Sequence, residues 1–399
     1  MLLEATVETP THGYRMICTR PTACYQGVFM QGNTGPHQNM SYGQALVARA
    51  LDIGFGYTKF SKGGIQQGWA LDCSAIPSAA PTVFTSPHTR SSGRALASQA
   101  SANVVVEGQS YVVGPDALRA GDGLFVGYLD DRFFSSPQYL ALLRGALFYM
   151  DLPQDRIDCL VVGLPLDVYR NRELRRRLAA RISGDHSLPS RIGSDTERLV
   201  TVGDVHVLPQ GIGALISQCQ ARWGLGRLAE NTHLVVDVGY GTLRWIVAEG
   251  QTPVASRSGQ IAGGVATLLY GIAAHIGIGL KDNPTILNRL DRALRQDSYE
   301  LKIDGQTIDI APYREQMQVT IGQQLALLTR SVGQVRDIDS IYLAGGGGLH
   351  YLPMLKEAFT GYSIYYNPDR ALFENVRGYQ MVAELRVAQL LQSSQAVVA

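Results

Sequence analysis

The chain has little of what several functional classes require. No apolar run approaches the roughly 20 residues of a membrane-spanning helix; the longest are of strand length or are broken by glycine and polar residues. The five cysteines, Cys18, Cys24, Cys73, Cys159 and Cys219, are odd in number and scattered. They show no metal-ligand spacing, argue against a disulfide framework, and point to free thiols in a reducing, cytoplasmic setting. The first residues do not follow the basic–apolar–small order of a secretory leader. The formal net charge is only +1, so no global field draws the chain to nucleic acid or to an anionic membrane. Neither direct nucleic-acid binding nor a membrane partner is expected. No Gly-x-x-x-x-Gly-Lys-Ser/Thr segment occurs, which argues against a P-loop ATPase. What is present is 399 residues, 45% hydrophobic and 17% charged, enough for two or more globular domains with cores of their own.

Two segments carry most of the information. Leu51-Asp52-Ile53-Gly54-Phe55-Gly56-Tyr57-Thr58-Lys59 and Leu234-Val235-Val236-Asp237-Val238-Gly239-Tyr240-Gly241-Thr242 share one plan. An apolar run reads as a buried strand, Asp sits at its end, glycines allow close backbone approach, and the chain turns back as a second strand. A tight turn of successive N–H groups is an anion nest. A carboxylate beside such a nest makes electrostatic sense when a cation sits between, so the pair points to a metal–phosphate site. Each turn alone reads equally as an ordinary hairpin; the recurrence favours the site. A third segment, Ile341-Tyr342-Leu343-Ala344-Gly345-Gly346-Gly347-Gly348, is a glycine run after a buried strand and before a helix. It lets backbone lie flat against a planar or anionic ligand. It also fits a dinucleotide turn, although the spacing of that fingerprint is not clean.

Between these segments the pattern alternates strands and helices. Residues 1–44, rich in Thr, Gly, Gln, Asn and Pro, read as a disordered extension, with Met40 as an alternative start. Residues 46–60 read as the first strand, 65–72 as its return, 82–100 as a loop, and 104–114 as a hairpin joined at Glu107-Gly108-Gln109. A helix follows at 137–150, starting at Pro137, then a strand at 159–165 stopped by Pro165. A basic helix is expected over 168–182, a hairpin at 198–202 and 205–208, and a helix at 210–222. The second half reads as strands 233–237, 242–249 and 252–257, and helices 264–276, 284–296 and 312–332. A strand at 338–343, a helix at 350–358, a strand at 362–366 and a helix at 375–392 follow. This is a duplicated α/β plan with mixed sheets. Arg170, Arg172, Arg175, Arg176, Arg177 and Arg181 spread over more than one helix face and read as a solvated surface, or less readily as a partner patch. Tyr362, Tyr365, Tyr366, Phe373 and Tyr379 read as packing residues.

The three segments in this order resemble the phosphate and adenosine loops of the actin/Hsp70/sugar-kinase ATPase superfamily. Leu160-Val161-Val162-Gly163-Leu164-Pro165-Leu166 and Glu374-Asn375-Val376-Arg377-Gly378-Tyr379 look like its two connecting segments. Their wording is similar to the plasmid-segregation actins of the ParM/StbA type, in particular the PRTRC system protein D group, over about residues 46–392. The resemblance implies duplicated actin-like (ribonuclease H-like) domains around a nucleotide cleft: domain I over 45–228, domain II over 229–374, and a C-terminal helix over 375–399 returning to domain I. It implies ATP (or GTP) with Mg²⁺, Asp52 and Asp237 holding the metal through water. Gly54, Gly56, Tyr57, Thr58, Lys59, Gly239, Tyr240, Gly241 and Thr242 would surround the phosphates, and Gly263, Gly264, Gly345, Gly346 and Gly347 the nucleoside.

The implied function is a cytomotive ATPase that forms filaments with itself and moves plasmid DNA through an adaptor. Two departures matter. Such proteins tend to carry a Glu just after the Leu-Pro-Leu segment to orient the attacking water, where this chain has Val168 with Asp167 before it. Asp167 and Gln210, beside Asp237, are the candidate catalytic residues. Arg244 stands where relatives often have an acid. A slow ATPase, a non-polymerising nucleotide-binding scaffold and a small-molecule kinase therefore stand as rival readings.

Overall fold

The computed structural model describes residues 46–82, 100–120, 131–194, 196–277 and 279–398. The expected extension at 1–44 lies outside the described residues, as does the expected loop at 82–100 save for its two end residues. In chain order the strands are β1 (Ala48–Ile53), β2 (Tyr57–Ser61), β3 (Cys73–Pro77), β4 (Ala102–Val106), β5 (Gln109–Val113), β6 (Arg156–Leu164), β7 (Gly184–Pro189) and β8 (Glu197–Pro209). The second half adds β9 (Thr232–Val238), β10 (Thr242–Glu249), β11 (Thr252–Pro253), β12 (Gly259–Ala262), β13 (Glu300–Ile303), β14 (Gln306–Asp309), β15 (Ser340–Ala344) and β16 (Ile364–Tyr365).

Twelve of these strands form two sheets of matching plan, and β4–β5 and β13–β14 are separate hairpins. The first runs β3-β2-β1-β6-β8-β7, the second β11-β10-β9-β15-β16 with β12 also paired to β10. In each, an antiparallel hairpin (β1–β2, β9–β10) carries a parallel strand on its other edge (β6, β15). Parallel strands are covered on both faces and so are apolar on both. On β1 and β6 the alternation sends Leu51, Ile53, Leu160 and Val162 into one core, with the helix Pro137–Tyr149. It sends Ala48, Ala50, Cys159 and Val161 into another.

That second core lies between the sheets. It also takes Val235, Ile246 and Tyr342 from the second sheet, and the helices Ile212–Trp223 and Glu374–Val398. The two helices touch backbone to backbone: a Cβ on Gly378 would overlap the carbonyl oxygen of Gly213. The C-terminal helix is tied to the first sheet. Ser61 Oγ donates to Gln380 Oε1 at 2.7 Å, and Gln380 Nε2 to the Ala48 carbonyl at 3.1 Å.

Several elements differ from expectation. Residues 46–60 are two strands and a turn, not one strand. Residues 65–72 hold only the short helix Gln67–Trp69, and the third strand begins at Cys73. Residues 197–209 are one strand, not a hairpin; it pairs with β6 over Thr201–Pro209, and over Glu197–Val202 its other edge takes β7, whose polar Asp185-His186-Ser187 hides the strand pattern. The basic helix is broken at Asn171, whose side chain accepts from the Leu174 amide at 3.0 Å and so starts a second helix, Arg172–Ile182. The expected strand 252–257 is a two-residue strand followed by a helical turn, with β12 beyond it. The hairpin β13–β14, turned by Asp304 and Gly305 in the left-handed region, has no counterpart in the expected pattern.

Candidate functional site

Asp52 ends β1 and Asp237 ends β9, and in both hairpins a base lies opposite the acid: Lys59 opposite Asp52, Arg244 opposite Asp237. Each turn is closed by one bond, from the Gly54 amide to the Tyr57 carbonyl at 3.1 Å and from the Gly239 amide to the Thr242 carbonyl at 2.9 Å. The tips meet. A Cβ on Gly56 would lie 2.5 Å from Tyr240 Cβ, and one on Gly241 would lie 3.6 Å from Phe55 Cβ. The amides of Phe55, Gly56 and Gly241 donate to no carbonyl among the described residues, so the contact leaves a short row of anion-binding donors.

The glycine run closes the site from the side. Gly345 has φ of 84°, and a Cβ there would lie 2.5 Å from Asp237 Oδ1; only glycine allows both. The Gly347 amide donates to the Val238 carbonyl at 3.0 Å. Beside the run the helix Pro284–Arg295 adds Asn288, Asp291 and Arg295 to the lining. Arg295 Nη1 holds the Gly346 carbonyl at 2.7 Å while its Nε bonds Asp291 at 2.9 Å. The resulting cleft measures about 820 Å³, counting the part open to solvent.

The two carboxylates are held differently. Asp52 is buried; its Oδ2 is 2.5 Å from Lys59 Nζ and its Oδ1 accepts from Gln210 Nε2 at 2.6 Å. Gln210 Oε1 is buried and has no partner among the described residues. Asp237 Oδ2 accepts from Asn375 Nδ2 at 3.0 Å. Asn375 Oδ1 in turn accepts the Gly211 and Ala214 amides at 2.8 and 3.1 Å, which ties the start of the helix Ile212–Trp223 to the acid. Burial raises the phenol of Tyr57, helped by the charge of Asp291, and that of Tyr240, helped by its hydrogen bond with Tyr270, so both stay protonated.

Of the expected residues, Gly54, Gly56, Tyr57, Lys59, Asp237, Gly239, Tyr240, Gly241, Thr242, Gly345, Gly346 and Gly347 line the cleft. Asp52 and Gln210 sit just behind Lys59. Thr58 does not line it: the side chain alternates inward along β2 and bonds Ser78 Oγ at 2.9 Å. Gly263 and Gly264 are supports rather than lining. The Gly263 amide donates to the Gly241 carbonyl, and the next residue in, Val265, reaches the cleft. Asp167 is brought to no other site residue; it is exposed, with Arg170 3.6 Å away, and Val168 is buried in the core. The pattern missed Asn288, Asp291, Arg295, Ala371 and Leu372 as site residues. They come from the helix Pro284–Arg295 and the helical turn Ala371–Phe373, neither of which has glycine or a motif, and only the fold brings them to the cleft. Asn375 lies in a segment already singled out, though not for this contact. Among the described residues no group of three His, Cys, Asp or Glu side chains is placed to hold a metal directly.

Residues 50–213 match the family model of the N-terminal domain of actin-like proteins. No curated protein sequence matches the chain. Among solved structures, it is similar to an archaeal actin homologue in complex with ADP, at 18% identity, covering 85% of this chain and 99% of that one, with a TM-score of 0.64. It is similar to the ParM of a 15-stranded filament from Clostridium botulinum, at 20% identity, 85% and 99% coverage and a TM-score of 0.61. It is also similar to Bacillus thuringiensis ParM with ATP, at 12% identity, 86% and 99% coverage and a TM-score of 0.59. The chain has the actin-like fold that the sequence resemblance implies.

Proposed function

We propose that this chain, actin-like in fold and in its match over residues 50–213, binds ATP with Mg²⁺ between its two sheets and assembles with itself in a nucleotide-dependent way, as a plasmid-partition actin does. One observation carries the reading. Two Asp-x-Gly turns and a glycine run from three distant parts of the chain converge on one cleft, with backbone donors, three cations and two carboxylates in its lining. The lobes divide near residue 228, and the C-terminal helix returns to the first.

The residues fit a hydrated divalent cation. Asp52 and Asp237 end the paired strands, and each carboxylate is held in place by amides or Lys59. Mg²⁺ keeps several waters and is held through few carboxylates plus phosphates, which agrees with two acids rather than a closed cage. When bound, the ion would screen phosphate charge. The chain's own groups do the rest: the tip amides and Lys59 bind phosphate oxygens, the Gly345–Gly347 backbone lies against the nucleoside, and Arg295 holds that run in place. Gln210, fixed on Asp52 by its amide nitrogen, has Oε1 left to accept a hydrogen bond from a water and so to position it. Asp167 takes no part in this arrangement.

The experiment is sedimentation of the full chain with ATP, ADP and no nucleotide. Pelleting with ATP alone is the expected result; a protein that stays in the supernatant under every condition overturns the filament reading. The position of Asp167 favours a second reading, a scaffold that binds nucleotide without turnover. Phosphate release that disappears in Gln210→Ala, with ATP affinity kept, counts against the scaffold. DNA cargo is reached through an adaptor rather than directly.

A further inference from the structure

Three arginines are buried among the described residues: Arg49, Arg244 and Arg377. Arg49 turns its terminal nitrogens to the carbonyls of Ala48 and Asp151, and Arg377 to those of Leu71 and Trp69. Arg244 does not. Its Nε donates to Gln260 Oε1 at 3.3 Å, its guanidinium lies 5.9 Å from the Phe55 ring centre, and Nη1 and Nη2 have no acceptor among the described residues. The acid opposite it, Asp237, is bonded instead to Asn375. Arg244 is 8% exposed and lines the cleft, with Nη1 3.8 Å from where a side chain on Gly239 would begin.

The stem of Arg244 is buried while its two-nitrogen fork opens to the cleft without an acceptor among the described residues, so an incoming anion pairs with it without first breaking an ion pair. The fork matches a phosphate or carboxylate in bidentate fashion. Arg244 lies against Phe55 of the first turn, whereas Arg295 lies against the glycine run that faces the nucleoside. The two cations thus serve different parts of a nucleotide.

Resting on the nucleotide reading of the cleft, we propose that Arg244 grips the outermost phosphate of a bound nucleoside triphosphate and makes the chain discriminate triphosphate from diphosphate. A guanidinium supplied within the chain to a terminal phosphoryl group also offsets the charge spread over its oxygens during transfer.

The test is calorimetric titration of the full chain and of Arg244→Gln and Arg244→Lys with ATP, ADP and AMP in Mg²⁺, and with inorganic tripolyphosphate. Loss of a charge-assisted contact corresponds to about a tenfold to hundredfold weaker Kd. Arg244→Gln is expected to lose that factor for ATP and tripolyphosphate, about threefold or less for ADP, and nothing for AMP. Arg244→Lys, which keeps the charge and loses the fork, should fall between. Equal losses for ATP and ADP, or no loss for either, overturn the assignment. A wild type that binds none of the nucleotides overturns the reading of the cleft itself, and this assignment with it. Unfolding of the free variants in denaturant shows that each is folded.

Discussion

The two hairpins that form the cleft are copies in plan and opposites in electrostatics. Both end a buried strand in Asp, close a four-residue turn and return with a base opposite the acid. In the first, acid and base are partners: Lys59 sits on Asp52, and Gln210 takes the other oxygen. In the second they are divorced: Asp237 is held by Asn375, and Arg244 faces the cleft with its fork unpaired. A shared motif thus sets where charges stand but not whom they bind. Without nucleotide, the first hairpin pairs its own acid and base, and the second leaves its base open to the cleft.

That contrast can be broken experimentally. The largest effect belongs to the support common to both hairpins. Gly378→Val forces apart the helices that cross between the sheets, and is expected to cost about 3 kcal/mol or more, read as a loss in denaturant midpoint. Next comes the pair of bases in the protein without nucleotide. Lys59→Met leaves Asp52 buried beside only an amide, at a cost of about 2–4 kcal/mol. Arg244→Met removes a guanidinium that holds no carboxylate within ion-pair distance among the described residues, and is expected to change stability by about 1 kcal/mol or less. Equal destabilisation by both would end the distinction between a paired and an open base.

A smaller effect separates equivalent glycines, each four residues after its Asp. Gly56→Ala drives a methyl into Tyr240 and should cost about 1–2 kcal/mol, while Gly241→Ala meets only van der Waals contact at 3.6 Å and should cost about 0.5 kcal/mol or less.

A separate effect is a pH dependence at one strand of the first sheet. His206 on β8 accepts from Arg386 of the C-terminal helix at 3.3 Å, and burial, with that arginine's charge, pushes it down to about 4 from an ordinary 6.5. The native state binds fewer protons than the unfolded chain in that window, so stability is full above pH 6.5 and falls towards pH 4. His206→Asn should flatten part of the fall in a pH series of melts. Burial lowers His186 and His233 as well, so some acid sensitivity remains. The counterpart strand β16 is Ile364–Tyr365 and has no such group.

Much of the cleft was legible in the chain because its turns are local. Asp at a strand end, glycine at a tip and a returning strand are decided within nine residues, and the glycine run likewise. Elements whose identity is settled by distant neighbours were not legible. Strand β8 reads as a hairpin because Gly203 and Asp204 look like a turn, yet pairing with β6 carries the strand straight through. Strand β7 is too polar to read as a strand without β8 beside it. Asp167 stands one residue before the position where the resemblance places an acid, and on the short helix Leu166–Arg170 it is exposed while Val168 is buried.

What the sequence by itself determined is the inventory: two acid-ended hairpins, a glycine run, a duplicated α/β order, and the resemblance those carry. The tertiary structure alone decided the assignments. It set Gln210 on Asp52 and Asn375 on Asp237, brought Arg295 to the glycine run, turned Thr58 inward, and left the fork of Arg244 open to the cleft. The physical reason is range. Turn geometry and strand alternation act over a few residues, whereas the partner of a buried charge is chosen by whichever donor or acceptor the packing of remote elements carries within 3 Å of it.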